Sequence, residues 1–197
     1  MRRTLLTGAA LLVLAAALAS SALGAGVSVR VEGKTRSIFG ATEPRLSATN
    51  PLTALEAASF RGEFYYHVKI ASFGSYVDQI GRFVAEGANG WVYKVNGASP
   101  PVAADQVQLR DGDRVVWYWA TFGATGGPPT LLLSRTSRNC YRIVAENDQG
   151  VDTPASGAVL WVDGRHVRTR AGRGCVGPHS GVVRATLAGA VRSNALR

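Results

Sequence analysis

The apolar positions alternate first. In "VSVRVEG", Val27, Val29 and Val31 alternate with polar neighbours, the period of a half-buried strand. Gly33 ends that run, and "TRSIFG" is its return strand. The period then changes. In "ATNPLTALEAASFRG", Asn50 is an N-cap and Pro51 takes the first helical position. Leu52, Leu55 and Ala58 or Ser59 share one face, and Gly62 stops a helix of about ten residues. Alternation returns in "FYYHVK", with Phe64, Tyr66 and Val68 on one side and Tyr65, His67 and Lys69 on the other. "SYVDQIGRF" holds a further short strand. "WVYKVNG" puts Trp91, Tyr93 and Val95 on one face before an Asn96-Gly97 turn, where both residues tolerate positive φ. Asp111-Gly112 turns the chain into a strand from Arg114 to Phe122.

"GATGGPPT" is a Gly/Pro linker. Beyond it, "TLLLS", "CYRIVAEND", "GAVLWVDG", "RHVRTRAG", "GVVRATLAG" and "AVRSN" are short strands between Gly-bearing turns, the pattern of a small sandwich. One helix across a mixed sheet followed by an all-β segment predicts an α+β fold in two domains, 25–123 and 130–197, joined by linker 124–129.

The N-terminus adds a destination. Arg2 and Arg3 precede an uncharged apolar run from Leu5 to Ala19, with Ala22, Gly24 and Ala25 behind it. That order predicts a secretory signal over residues 1–24 and an extracytoplasmic protein, secreted or associated with the cell envelope. The apolar run is shorter than the roughly 20 residues of a membrane span. Export changes the reading of Cys140 and Cys175, because an even pair in an oxidising compartment forms a disulfide. Closing that loop stabilises by roughly 3–4 kcal/mol on the chain-entropy model.

The chain carries 22 Lys and Arg against 13 Asp and Glu, a net +9; without Arg2 and Arg3 the balance is 20 against 13, or +7. From Arg135 to Arg197 ten Arg face four acids, so an anionic cell-surface polymer is a candidate partner of this half. The Arg residues are scattered, which equally describes a solvated basic surface.

The strand "RVVWYWATF" is apolar on both faces: Val115, Trp117 and Trp119 on one, Val116, Tyr118 and Ala120 on the other. One helix covers one face of a sheet. The second face must therefore meet the other domain, a partner or a ligand. If the helix takes Phe64, Tyr66 and Val68, the open side presents Tyr65, His67 and Lys69, joined by Tyr118 or Trp117 according to register. The candidate ligand-binding set is Tyr65, His67, Trp91, Tyr93, Trp117, Tyr118 and Trp119. The competing reading places the Trp residues in the cores.

"GWVYKVNG…LRDGDRVVWYW", preceded by the "PLTALEAA" helix, resembles a bacterial domain-of-unknown-function family related to the C-terminal β-domain of transcobalamin and intrinsic factor. The resemblance covers about Val27 to Phe122 and implies a β-grasp-like fold and an exported binding module. In the cobalamin carriers the related domain is half of the vitamin site and a helical barrel is the other half. This sequence holds no such barrel, and no vitamin contact residue is carried over. "GAVLWVDGRHVRTRAGRG…GVVRATLAGAVRSN" resembles the immunoglobulin-like or carboxypeptidase-regulatory-like sandwiches that space and present other domains.

Chemistry is sparse. His67, His166 and His179 do not form a helical i, i+4 pair, and Cys-x-x-Cys is absent, so no metal and no cofactor is expected. Cys175 lies four residues before His179, a spacing that also fits a thiolate with a base; the Gly-Pro between them and the presence of Cys140 favour the disulfide. Asp111 and Asp113 are residue types that a hairpin turn requires. The expectation is an exported, non-enzymatic binding or scaffold protein that meets a ligand or an envelope protein through aromatics. No specific nucleic acid is expected. The alternatives are a small-molecule (cobalamin-type) carrier and a Cys-dependent cell-wall enzyme.

Overall fold

The computed structural model describes residues 24–72, 74–123 and 126–197. The expected signal segment, except Gly24, and Ala124 and Thr125 of the expected linker lie outside the described residues. Strand β1 (Ala25–Glu32) is the centre of the first sheet. It pairs antiparallel with β2 (Ser37–Phe39) and β3 (Arg45–Ala48), and parallel with β8 (Arg114–Thr121). Strand β7 (Asn89–Val95) closes the row as an edge, antiparallel to β8, with Trp91 opposite Trp119 and Tyr93 opposite Trp117.

Helix α1 (Pro51–Gly62) starts where its cap predicts. Asn50 Oδ1 accepts from the Thr53 N–H at 2.8 Å, and Thr53 Oγ1 accepts from the Asn50 N–H at 3.0 Å. A threonine thus does what Glu or Gln does in the common capping box. Ala54, Leu55 and Ala58 bury against Val27, Val29, Val31, Val115 and Trp117. The Trp117 indole N–H donates to the Pro51 carbonyl at 3.0 Å, so the ring is fixed to the start of the helix. Strands β4 (Tyr66–Ala71), β5 (Gly74–Ile80) and β6 (Phe83–Val84) form a separate small sheet, whose Val77 and Ile80 complete this core.

In the C-terminal half, β9 (Thr130–Ser137), β10 (Cys140–Glu146), β11 (Asp152–Pro154) and β14 (Arg173–Cys175) make one sheet. Strands β12 (Val159–Val162), β13 (Arg165–Arg168), β15 (Val183–Thr186) and β16 (Ala195–Leu196) make another. Leu131, Leu133, Tyr141, Ile143, Leu160 and Val183 fill the space between them. Cys140 and Cys175 are register partners on β10 and β14 and are joined as a disulfide.

The α+β, β-grasp-like expectation is overturned. The described residues hold sixteen strands and one helix of 12 residues, a mainly-β fold with sandwich-like stacking. The helix pattern was clear but covers little of the chain. The short strands β3, β6, β11 and β14 carry too few residues to display a period.

The second face of the first sheet is buried against the C-terminal half. Val116, Tyr118 and Ala120 cluster with Val191. Beside them Arg30, Glu32 and Lys94, each 0% exposed, reach across. Glu32 accepts from Arg184 and Arg192, and Arg30 donates to the Arg192 carbonyl at 2.5 Å and pairs with Glu43 at 3.1 Å. Burial lowers the Arg30 pKa, opposed by Glu43 and Glu32. Removing one partner from such a layer leaves another charge dry, which is strongly destabilising.

Candidate functional site

The aromatic residues do not share one face. Trp91 and Trp117 are core residues, 7% and 2% exposed, and Trp119 packs edge-on against Trp91 with ring centroids 5.5 Å apart. Tyr118, 1% exposed, points the opposite way, into the contact between the halves. Tyr65 and His67 stay on the outer side of the small sheet, as the alternation places them; β4 belongs to that sheet and not to the one holding Trp117 and Tyr118, so no register unites the two groups. His67 bonds Asp78 at 2.6 Å, and Lys69 pairs with the same carboxylate at 2.9 Å. Burial pushes the Asp78 carboxyl up, but the bonds from Lys69 and His67 outweigh it and hold the pKa below the ordinary value.

Four of the expected residues meet elsewhere. A cavity of about 450 Å³ is lined by Trp91, Tyr93, Trp117 and Tyr118 of β7 and β8, with Tyr76 of β5 facing them and Phe122 beyond the end of β8. Trp91, Val92 and Tyr93 all touch it. Successive strand residues point to opposite faces, so the cavity wraps round the β7 edge rather than lying on either face. Strands β5 and β7 are neighbours without a ladder between them, and the cavity occupies that gap.

The "ASPPVAA" segment forms the outer wall. The Asn96-Gly97 turn, with φ of 52° and 92°, starts it, and Val95 and Ala98 exchange backbone bonds at 2.8 and 3.1 Å. The Tyr93 hydroxyl donates to the Val102 carbonyl at 2.7 Å and ties the far end down. Pro100 and Pro101 stiffen the stretch between. Burial, with Asp105 nearby, pushes the Tyr93 phenol up to about 12. Tyr118 is raised further, by burial and by Asp148.

Asp148 is the one carboxylate in the wall, and it comes from the C-terminal half. Its carboxylate accepts from the Gly127 N–H at 3.1 Å and the Ser99 hydroxyl at 3.3 Å, and pairs with Lys94 at 3.5 Å. The Lys94 ammonium donates to the carbonyls of Glu146 at 2.7 Å and Asn147 at 2.9 Å. Burial lowers the Lys94 pKa, and Asp148 opposes the shift. The charge at Asp148 is therefore spent on the protein, and the rest of the wall is uncharged and mostly apolar, with Ser75, Ser99 and the tyrosine hydroxyls its other polar groups. Sequence reasoning missed Tyr76, Val102, Phe122 and Asp148; the Pro pair behind a tight turn was the one local signal available.

The remaining groups with chemical potential are committed to the fold. Both cysteine sulfurs are in the disulfide. His179 bonds the Tyr141 hydroxyl at 2.8 Å and lies 3.0 Å from the Gly181 carbonyl, while His166 packs on Trp161. Among the described residues no group of three or more His, Cys, Asp and Glu is placed to hold a metal ion. No described helix is long and apolar enough to cross a membrane. Of the C-terminal arginines, Arg184 and Arg192 are engaged with Glu32, whereas Arg138, Arg142, Arg168, Arg170 and Arg173 are exposed.

No curated protein matches the chain. Among solved structures, it is similar to a Ruminococcus gnavus protein titled a "putative metal binding protein", at 16% identity and a TM-score of 0.39, covering 50% of this chain and 99% of that one. Residues 52–121, from α1 to the end of β8, match the model of a family described as a domain of unknown function, DUF4430.

Proposed function

We propose that this chain is an exported, non-enzymatic binding module whose ligand enters the cavity at the β7 edge. The observation that carries this reading is the cavity itself. A space of about 450 Å³ with aromatic and proline walls lies within the 300–1,000 Å³ range of small-molecule sites. Its one charge is already neutralised, so the ligand it favours is apolar or aromatic. The disulfide supports an oxidising compartment, and the exposed arginines supply a basic surface for an anionic envelope polymer.

The test is a fluorescence titration of the chain lacking residues 1–24 with 1-anilinonaphthalene-8-sulfonate, followed by displacement with indole and 4-iodophenol. The wild type binds one equivalent. A Ser75→Trp variant, which fills the gap from β5, weakens binding at least tenfold while its thermal unfolding is retained. Equal binding by a folded Ser75→Trp would end the proposal. The cobalamin-type carrier is the second reading, suggested by the order of helix, turns and aromatic strands. A corrinoid is larger than this cavity encloses and would lodge only in part. Calorimetry with cyanocobalamin separates the two: saturable one-to-one heat favours the carrier.

A further inference from the structure

The edge of β7 has a second property besides its side chains. In the β7–β8 ladder the even positions face the partner strand: the Phe122 N–H donates to the Ala88 carbonyl at 2.8 Å and the Asn96 N–H to the Arg114 carbonyl at 2.9 Å. The odd positions face away. Asn89 exchanges bonds at 2.9 Å with Glu86 on that outer side, and Val95 does so with Ala98. Between these two bridges lie Trp91 and Tyr93, whose N–H and C=O groups point outward by the same alternation. Among the described residues none of those four groups has a hydrogen-bond partner. The adjacent strand β5 runs past without pairing.

Edge strands are ordinarily blunted, and this one is closed by its own chain at both ends but unpaired in the middle, where it borders the cavity. The opening is the length of a short strand. Trp91 and Tyr93 lie two residues apart, about 6.6–6.8 Å along the strand, the repeat at which an added strand forms its bonds. The apolar cavity begins at the same two residues. A rigid small molecule satisfies the cavity and leaves the four backbone groups unmet. An extended backbone satisfies both, because alternate side chains point to opposite sides and one of them enters the cavity.

We propose that an extended peptide segment of a partner protein adds to the β7 edge, bonding the backbone of Trp91 and Tyr93 and placing one apolar side chain in the cavity. This rests on the cavity being the ligand site and names the class of its occupant. Asp148 is already paired with Lys94 and bonded by Ser99 and the Gly127 N–H, so the inserted side chain needs no positive charge. Tyr76, Val102 and Phe122 at the rim, between 37% and 45% exposed, would be covered on docking.

The test selects binders from a phage-displayed library of random linear heptapeptides on the chain lacking residues 1–24. The enriched peptide is then synthesised, both unmodified and with alternate backbone nitrogens methylated in each of the two phases. Expected are a central apolar or aromatic residue in the enriched sequences and at least tenfold slower hydrogen exchange at the Trp91 and Tyr93 amides in the complex. One methylation phase weakens binding at least tenfold and the other does not. Enriched peptides that leave both amides unprotected, or no enrichment while 1-anilinonaphthalene-8-sulfonate still binds the cavity, would overturn the docking and leave the cavity reading standing. Failure of both the peptides and the small probes would overturn both.

Discussion

Replacing Lys94 by Met tests how the cavity wall is held. Met has nearly the same length and no charge, so it keeps the packing under Tyr118 and removes the donors. Two bonds disappear, to the carbonyls of Glu146 and Asn147. Bonds to charged groups contribute about 1.5–3 kcal/mol each. Against this loss stands the relief of no longer burying an ammonium, which is several kcal/mol for a dry ion. Asp148 is only partly enclosed, with its side chain 25% exposed, and water solvates it once Lys94 is gone. The Glu146 carbonyl has no such recourse. The net loss is about 2 kcal/mol, which for a domain of this size lowers Tm by about 4–8 °C. Urea unfolding followed by tryptophan fluorescence and circular dichroism measures it. Because the 146–148 segment brings Asp148 to the cavity, affinity for the small apolar probe falls at least threefold in parallel. A Lys94→Met protein as stable as wild type to within about 0.5 kcal/mol would refute the reasoning, since the ammonium would then cost as much as it contributes.

Glu32→Gln removes the one acid that Arg184 and Arg192 share. Both arginines are about one-fifth exposed, so the expected loss is about 2–3 kcal/mol, at or below the lower end for a buried pair; calorimetry should show the two halves melting less cooperatively, and an unchanged thermogram would contradict this. Asp78 gives a pH prediction. Its pKa is depressed in the folded protein, so its stabilisation is present above the ordinary value of 3.8 and is lost as pH falls through the lower folded value. Comparing urea midpoints at pH 6 and pH 3, a Lys69→Met, His67→Ala variant should lose less stability than wild type; an equal loss would show that the cluster does not hold the carboxylate down. Tyr93→Phe should remove a phenol titrating at about 12 from the 295 nm absorbance curve and loosen the Val102 segment, seen as faster hydrogen exchange there. Loss of that amplitude near the ordinary value of 10.0 instead would contradict that assignment.

Local signals carried much of the structure. Asn50-Pro51 set the start of α1, Asn96, Gly97 and Gly112 adopt the positive φ their types favour, and Val27, Val29 and Val31 face one core. Alternation also failed informatively. Arg30 and Glu32 occupy the polar phase of "VSVRVE", which reads as a solvent face; instead they are fully buried, because Arg184 and Arg192, more than 150 residues away, supply partners. A period records which side of a strand a residue takes and not what covers that side. The cavity was half legible for the same reason. The alternation grouped Trp91 with Tyr93, but which strand lies beside the β7 edge depends on long-range pairing, and Tyr76, Val102 and Asp148 were invisible from there. Tyr65 and His67 were placed with the wrong neighbours because nothing local shows that β4 leaves the main sheet.

The most direct test of a ligand site at the β7 edge is a crystal soaked with 4-iodophenol, read by the anomalous signal of iodine. The predicted result is a single strong peak between Tyr76 and Tyr93, inside the wall formed by Pro100, Pro101 and Val102. A peak only at exposed rings such as Trp161, or none in that gap at full soak, would contradict the account.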